Sequence, residues 1–281
     1  MHIQARACHL ALLVVVLPSA CGSVNNGGSD SADAAASDDD GGDSADAAAD
    51  ADADAVDAGD AAVEAQCSEG LAFVPGGTFT LADKPGEVVI EPFCMDITHV
   101  TAGAYAGCVS CSPADTAAMC NTDIASRELD PANCVDLAQA EFYCESLDRS
   151  VPTEEQWEWA ARGGESANLY AWGDDPPVED DDRLCWFAGR VDQTFPDRPS
   201  ATCPVGFYDQ QAVHPFGLED MTGNVWTWTT SEGSEEANRV VRGGGWDNTL
   251  PGRMTTGFRN DLIQATIRHP ALGFRCVQAP L

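Results

Sequence analysis

The chain has little positive charge. Of its 281 residues only 14 are lysine or arginine, against 46 aspartates and glutamates, for a formal net charge of −32. Lysine occurs once, at Lys84. No basic patch exists to face a phosphate backbone, which excludes nucleic acid as a partner. Long apolar runs are missing as well. The run from Leu10 to Leu17 would span roughly 12 Å as a helix, against the ~30 Å core of a bilayer. The five histidines form no HExxH or HxxxH pair, so the helical zinc motif of metalloproteases is absent. Neither a hydrolase triad nor a phosphate-cradling glycine loop is spelled out, and no internal repeat is found.

What is present falls into three stretches. Residues 1–21 carry one firm positive charge, Arg6, before the apolar run, the pattern of a secretion signal rather than a membrane span. They end in Leu17-Pro18-Ser19-Ala20-Cys21, which resembles a bacterial lipobox except that Pro18 stands where an aliphatic residue is usual. The expectation is a lipidated Cys21 that anchors the chain to a membrane; ordinary cleavage after Ser19-Ala20 is the alternative. Gly22 follows, and the absence of Asp at that position points to the outer membrane of a Gram-negative cell. Residues 22–66 hold twelve aspartates and one glutamate, with no base and no aromatic. Such a stretch cannot bury enough apolar surface to offset the entropy of ordering. Its r.m.s. reach is about 35–40 Å as a flexible chain, and charge repulsion lengthens it, so it reads as a spacer. Asp50, Asp52 and Asp54 alternate, but no glycine and distal glutamate follow at the spacing of a calcium-binding EF-hand loop.

Residues 67–281 hold 33 acids, 13 bases and all seven tryptophans. Three stretches predict helices. One lies near Thr101–Cys111. A second, Val135–Leu147, sets Leu137, Ala140, Cys144 and Leu147 on one face. The third starts with Thr153 as N-cap and Gln156 completing a capping box, presents Trp157, Ala160 and Ala161, and stops at Gly163-Gly164. After Gly163 the chain reads as short strands, turns and loops. The class is α+β, one loop-rich domain.

Six segments then carry a resemblance. These are Phe73–Phe79, Cys94–Thr101, Val151–Glu158 with the following Ala-Arg-Gly-Gly, Gly217–Trp226, Arg239–Gly244 and Gly273–Cys276. In that order they resemble the domain of the formylglycine-generating enzyme, or sulfatase-modifying factor, over about residues 67–280. The resemblance implies a single compact domain related to the C-type lectin fold, with short strands and few helices. It also implies what the chemistry would need: the family enzyme oxidises a substrate cysteine to formylglycine, using oxygen and a copper ion on two thiolates. Soft thiolates select Cu(I). Here the two cysteine positions fall on Asn248 and Arg253, and the serine position on Gly245. Copper is therefore not expected, and no catalytic residue can be named.

The family's calcium positions correspond to Asp220, Gly223, Val225 and Thr227, with Thr227 in place of a glutamate. Calcium prefers six to eight oxygens, so a site there would bind more weakly and keep more water; the alternative is a turn closed by its own hydrogen bonds. Asp197 would belong to a second family calcium site.

Removing Cys8 and Cys21 leaves ten cysteines, an even number suited to disulfides. The resemblance pairs Cys144 with Cys276. Cys185 with Cys203 is the second expected pair. Cys67, Cys94, Cys108, Cys111, Cys120 and Cys134 stay open in connectivity. Cys108-Val109-Ser110-Cys111 also reads as a redox CxxC, or as part of a zinc site with Cys120 and Cys134, although disulfides are favoured in an exported domain.

Two functions compete. The first is a non-catalytic binding or structural module at the cell envelope. Its old substrate groove would be lined by Trp246, Asp247, Asn248, Arg253 and Arg259, and its partner would be a peptide, a glycan or an envelope protein. The second is a formylglycine-generating oxidase or a related metal-dependent oxidase.

Overall fold

A computed structural model describes residues 67–117, 119–178, 181–186, 202–208 and 214–281. Cys21 and Asp197 lie outside them. The described residues open with four short strands, β1 (Leu71–Val74), β2 (Gly77–Thr80), β3 (Glu87–Ile90) and β4 (Phe93–Asp96). Strand β1 pairs antiparallel with β4, and β2 with β3. The first helix, α1 (Ala102–Ala106), is capped by the Thr101 hydroxyl, which accepts from the Ala104 N–H.

Helix α2 (Leu137–Glu145) starts two residues later than its apolar spacing predicts, because Asp136 and Gln139 form a capping box. It also ends earlier, and this corrects the expected face. Leu137, Ala140 and Cys144 are buried, whereas Leu147 lies past the helix end and is 45 % exposed. Helix α3 (Glu154–Ala161) has the Thr153–Gln156 capping box complete, so two otherwise unpaired N–H groups are satisfied. It stops at Gly163, whose φ of +70° and contact with Pro215 leave no room for a Cβ.

The later part of the chain is built on β5 (Trp226–Glu232), β6 (Asn238–Arg242), β7 (Asn260–Gln264), β8 (Leu272–Gly273) and β9 (Val277–Gln278). They form a four-stranded sheet in the order β7-β6-β5-β8, while β9 returns to the first sheet to give β1-β4-β9. The first and last elements therefore share one sheet. This is one loop-rich α+β domain of short strands and three helices, and its described residues form a single compact unit.

The core follows the tryptophans. Trp228 and Trp246 pack with Phe274, Tyr143 and Val241, and Trp157 and Trp159 pack with Val74, Met95 and Met221. Trp228 donates its indole N–H to the Val135 carbonyl and Trp159 to that of Pro75. Five disulfides staple the loops: Cys67–Cys94, Cys108–Cys111, Cys120–Cys134, Cys144–Cys276 and Cys185–Cys203. The fourth closes 132 residues, worth about 4–5 kcal/mol in the chain-entropy model. It ties α2 to the chain end beside β9.

Candidate functional site

The segment Gly243–Gly257 links β6 to β7 and carries most of the residues expected to line a groove. Its entry is fixed by charge. Glu154 and Glu158 stand four apart on α3, on the side that faces β6, and both are buried. Between them lies the fully buried Arg242, the last residue of β6. Its Nη2 donates to Glu154 Oε2 at 3.1 Å and to Glu158 Oε2 at 2.9 Å. Its Nη1 donates to the carbonyls of Thr256 and Phe258 at the far end of the segment.

The same carboxylate receives Arg259. Its Nε donates to Glu154 Oε2 at 2.8 Å, its Nη1 to Asp261 and its Nη2 to the Glu232 carbonyl. Lys84 completes the cluster with an ion pair to Glu154. Burial pushes the Glu154 carboxyl up, but Lys84, Arg259 and Arg242 outweigh it and hold Glu154 below the usual carboxylate range. Glu158 shares only Arg242 of these cations, and burial leaves its carboxyl raised. Arg259, read from sequence as a groove side chain, is thus engaged in holding the segment closed.

Within the segment, Gly243 and Gly244 both take positive φ, +91° and +75°, and a Cβ on Gly244 would lie 2.4 Å from Met254 Sδ. Gly245 is restricted by packing: a Cβ there would sit 2.9 Å from the Trp226 ring and 3.1 Å from Ala271 Cβ. A serine at this position requires Trp226 to move. Trp246 is buried in the core, with its indole N–H donating to the Pro270 carbonyl. Asn248 is buried too, and its Nδ2 has no hydrogen-bond partner.

Asp247 is exposed at the surface. Partial burial pushes its carboxyl up, with His269 opposing. Arg253 ends the 3₁₀ turn Pro251–Arg253; it is exposed and makes no ion pair among the described residues. The segment therefore offers solvent one carboxylate, one guanidinium and the half-exposed Leu250. That set contains no thiol.

Copper does not fit these residues. An amide at Asn248 and a guanidinium at Arg253 supply no soft donor, and every cysteine after residue 66 is in a disulfide.

The turn before β5 was the expected calcium position. Asp220 Oδ2 accepts from the Gly206 N–H at 2.8 Å and from Asn224 Nδ2 at 3.3 Å. Asn224, in the left-handed region at φ +57°, bonds both the N–H and the carbonyl of Cys203 and donates its own N–H to Cys185. The turn is thereby stitched to the Cys185–Cys203 disulfide. Thr227 turns inward, its hydroxyl 2.8 Å from His99 Nε2. Burial and the nearby Arg275 hold His99 well below the usual histidine range, so it is neutral and donates from Nε2.

Arg275, fully buried, donates to the carbonyls of Asp96, Ile97 and Glu219. Asp220 Oδ2 and the Thr227 hydroxyl are thus engaged within the protein, which closes the turn by its own hydrogen bonds and leaves a calcium ion to compete for both side chains. No group of three or more His, Cys, Asp or Glu that could hold a metal occurs among the described residues.

Sequence reasoning missed Glu154, Glu158, Arg242, His99 and Arg275. Two glutamates four apart on an otherwise apolar helix face were the available signal for the first three.

The description "Sulfatase-modifying factor enzyme 1-like domain" matches residues 58–280. The chain belongs to this family. Among its relatives, the family member "Inactive C-alpha-formylglycine-generating enzyme 2" of Bos taurus is 35 % identical over 151 residues, 49 % of this chain and 46 % of that protein. The formylglycine-generating enzyme of Mycobacterium tuberculosis is 31 % identical over 188 residues, 56 % of this chain and 57 % of that protein. The chain spans about half the length of the curated relatives it matches. In solved structures the family fold recurs in PvdO from Pseudomonas aeruginosa, with a TM-score of 0.59 at 22 % identity, over 74 % of this chain and 94 % of that one. The family holds both active and inactive members, so the residues of the segment carry the functional argument.

Breaking a buried ion pair by removing one partner costs about 3–5 kcal/mol. Arg242→Ala should lower stability by that amount in denaturant unfolding. It should also speed amide hydrogen exchange across residues 243–258 more than in β1 or β4.

Proposed function

We propose that this protein is a non-catalytic binding module built on the sulfatase-modifying-factor fold. The observation that carries the reading is the pair Asn248 and Arg253, where the oxidase chemistry requires two thiolates. The packing at Gly245 supports it, because the serine position is closed by Trp226 and Ala271. Similarity to a relative named inactive is consistent with the same reading. The exposed Asp247, Leu250 and Arg253 form the contact surface, and their chemistry suits a peptide, a glycan or an envelope protein that offers a carboxylate to Arg253. The module would need neither copper nor calcium.

In the same proposal the module is exported and held at the outer membrane of a Gram-negative cell by a lipid on Cys21, with residues 22–66 as the spacer. Among the described residues no helix is long and apolar enough to cross a membrane.

The competing reading is a formylglycine-generating oxidase or a related metal-dependent oxidase, and metal content separates the two. The purified chain should carry substoichiometric copper and iron by elemental mass spectrometry, and chelation of calcium should leave its thermal midpoint unchanged. One copper per chain would overturn the proposal. For the anchor, Cys21→Ala should move the protein from the membrane fraction to the soluble one; persistence in membranes would contradict it.

A further inference from the structure

Three of the five disulfides are buried at both cysteines, and Cys67–Cys94 is buried at Cys94 and partly buried at Cys67. The fifth is the one with neither cysteine fully buried. Cys108 and Cys111 are three apart in sequence and only partly buried, and between them stand the fully exposed Val109 and the exposed Ser110. The entropy a bridge removes from the unfolded chain grows with the logarithm of the loop it closes. The Cys108–Cys111 bridge therefore contributes least to the fold of the five.

Hydrogen bonds, as well as the bridge, hold the turn. Cys108 donates its N–H to the Tyr105 carbonyl at 3.0 Å, and Cys111 donates to that of Cys108 at 3.1 Å. Tyr105 Oη donates to the Ser112 carbonyl at 2.7 Å, fixing the chain on the far side. A partly buried bridge that closes so short a loop can open and close while the domain stays folded.

Beside it lies a groove of about 440 Å³. One wall is Ala104, Cys108 and Val109 at the end of α1; the other is Tyr143, Ser146 and Leu147 at the end of α2. The walls are mostly apolar, and Val109 and Leu147 face solvent. Two hydroxyls stand near one sulfur: Ser110 Oγ is 3.7 Å and Ser146 Oγ 4.0 Å from Cys108 Sγ. Ser110 can turn its proton toward a thiolate on Cys108, whereas Ser146 already donates its proton to the Tyr143 carbonyl at 2.7 Å; that stabilisation helps Cys108 leave when a mixed disulfide on it resolves.

The geometry points to Cys108–Cys111 as a thiol–disulfide exchange site for a peptide or protein dithiol with apolar flanks. A substrate thiolate in the groove attacks Cys108 Sγ. The bond to Cys111 breaks as the mixed disulfide forms, and Cys111 leaves as a thiolate that takes up a proton. The second substrate thiolate then attacks the substrate sulfur of the mixed disulfide, and Cys108 leaves as a thiolate and is protonated in turn. The substrate dithiol is oxidised to a disulfide while Cys108–Cys111 is reduced to a dithiol. Two electrons and two protons pass between them, and no further oxidant takes part in the single turnover. The site shares no residue with the Gly243–Gly257 segment, so it stands whether or not that segment binds a ligand.

The test uses the full oxidised chain with a reduced peptide bearing two cysteines among leucines and valines. The reaction is quenched with acid, alkylated and mapped by mass spectrometry. Label should appear at Cys108 and Cys111 at least about tenfold faster than at any of the eight cysteines of the other bridges, with the peptide oxidised one for one. With the oxidised peptide, Cys111→Ser should accumulate a mixed disulfide on Cys108, and Cys108→Ser should trap about tenfold less on Cys111. Equal labelling of all five bridges, or equal trapping by both variants, would overturn the proposal. The double variant Cys108→Ser/Cys111→Ser should stay folded and lose less of its unfolding midpoint than the matching double variant at Cys120–Cys134, which closes a longer loop; an equal or larger loss would assign the bridge a structural role and overturn the proposal as well.

Discussion

The domain depends on one buried guanidinium. Arg242 enters a fully enclosed site because Glu154 and Glu158 present two carboxylates one helical turn apart, and its second nitrogen reaches the backbone of Thr256 and Phe258. A charge buried this way is costly unless it is paired and hydrogen-bonded. The pairing makes α3, β6 and the start of β7 mutually dependent. It also explains how a segment with almost no regular structure, Gly243–Gly257, keeps a defined shape: both of its ends are bonded to carboxylates of one helix.

Arg275 is a second fully buried guanidinium that ties distant segments together. It gathers the carbonyls of Asp96, Ile97 and Glu219 and faces His99 Nδ1. Two of the sequence segments that resemble the family meet there, those ending at Thr101 and at Cys276, together with the start of Gly217–Trp226. Physically, then, several of the segments that resemble the family meet at two buried cations. They specify a scaffold. The oxidation chemistry sits on the residues that follow Gly244, and there the scaffold is retained while the soft donors are replaced.

How much of this was legible in the sequence depended on distance along the chain. The α3 start was readable because Thr153 and Gln156 are three apart and cap locally. The end of α2 was misread because the spacing continued to Leu147 although the helix had already closed, with the Arg149 N–H turning back to the Cys144 carbonyl. Arg259 was placed in a groove because its partner, Glu154, is 105 positions away, a pairing no local pattern reveals. Trp246 looked like a ligand platform beside Asp247, and only packing against Ala271 and Pro270 shows its ring to be interior. Thr227 was legible as a lost carboxylate, but its hydrogen bond to His99, 128 positions earlier, was not.

The account rests on the claim that this chain kept the fold of its family without the thiolates that drive the reaction. The most direct measurement incubates the oxidatively folded chain with Cu(I), oxygen, a thiol reductant and a Cys-x-Pro-x-Arg peptide, with an active family enzyme run in parallel. Mass spectrometry follows the peptide thiol. The account predicts that the thiol survives unchanged beside a control that converts it to the aldehyde. Aldehyde formed by this chain would contradict the account, because it would require a copper site that Asn248 and Arg253 cannot build.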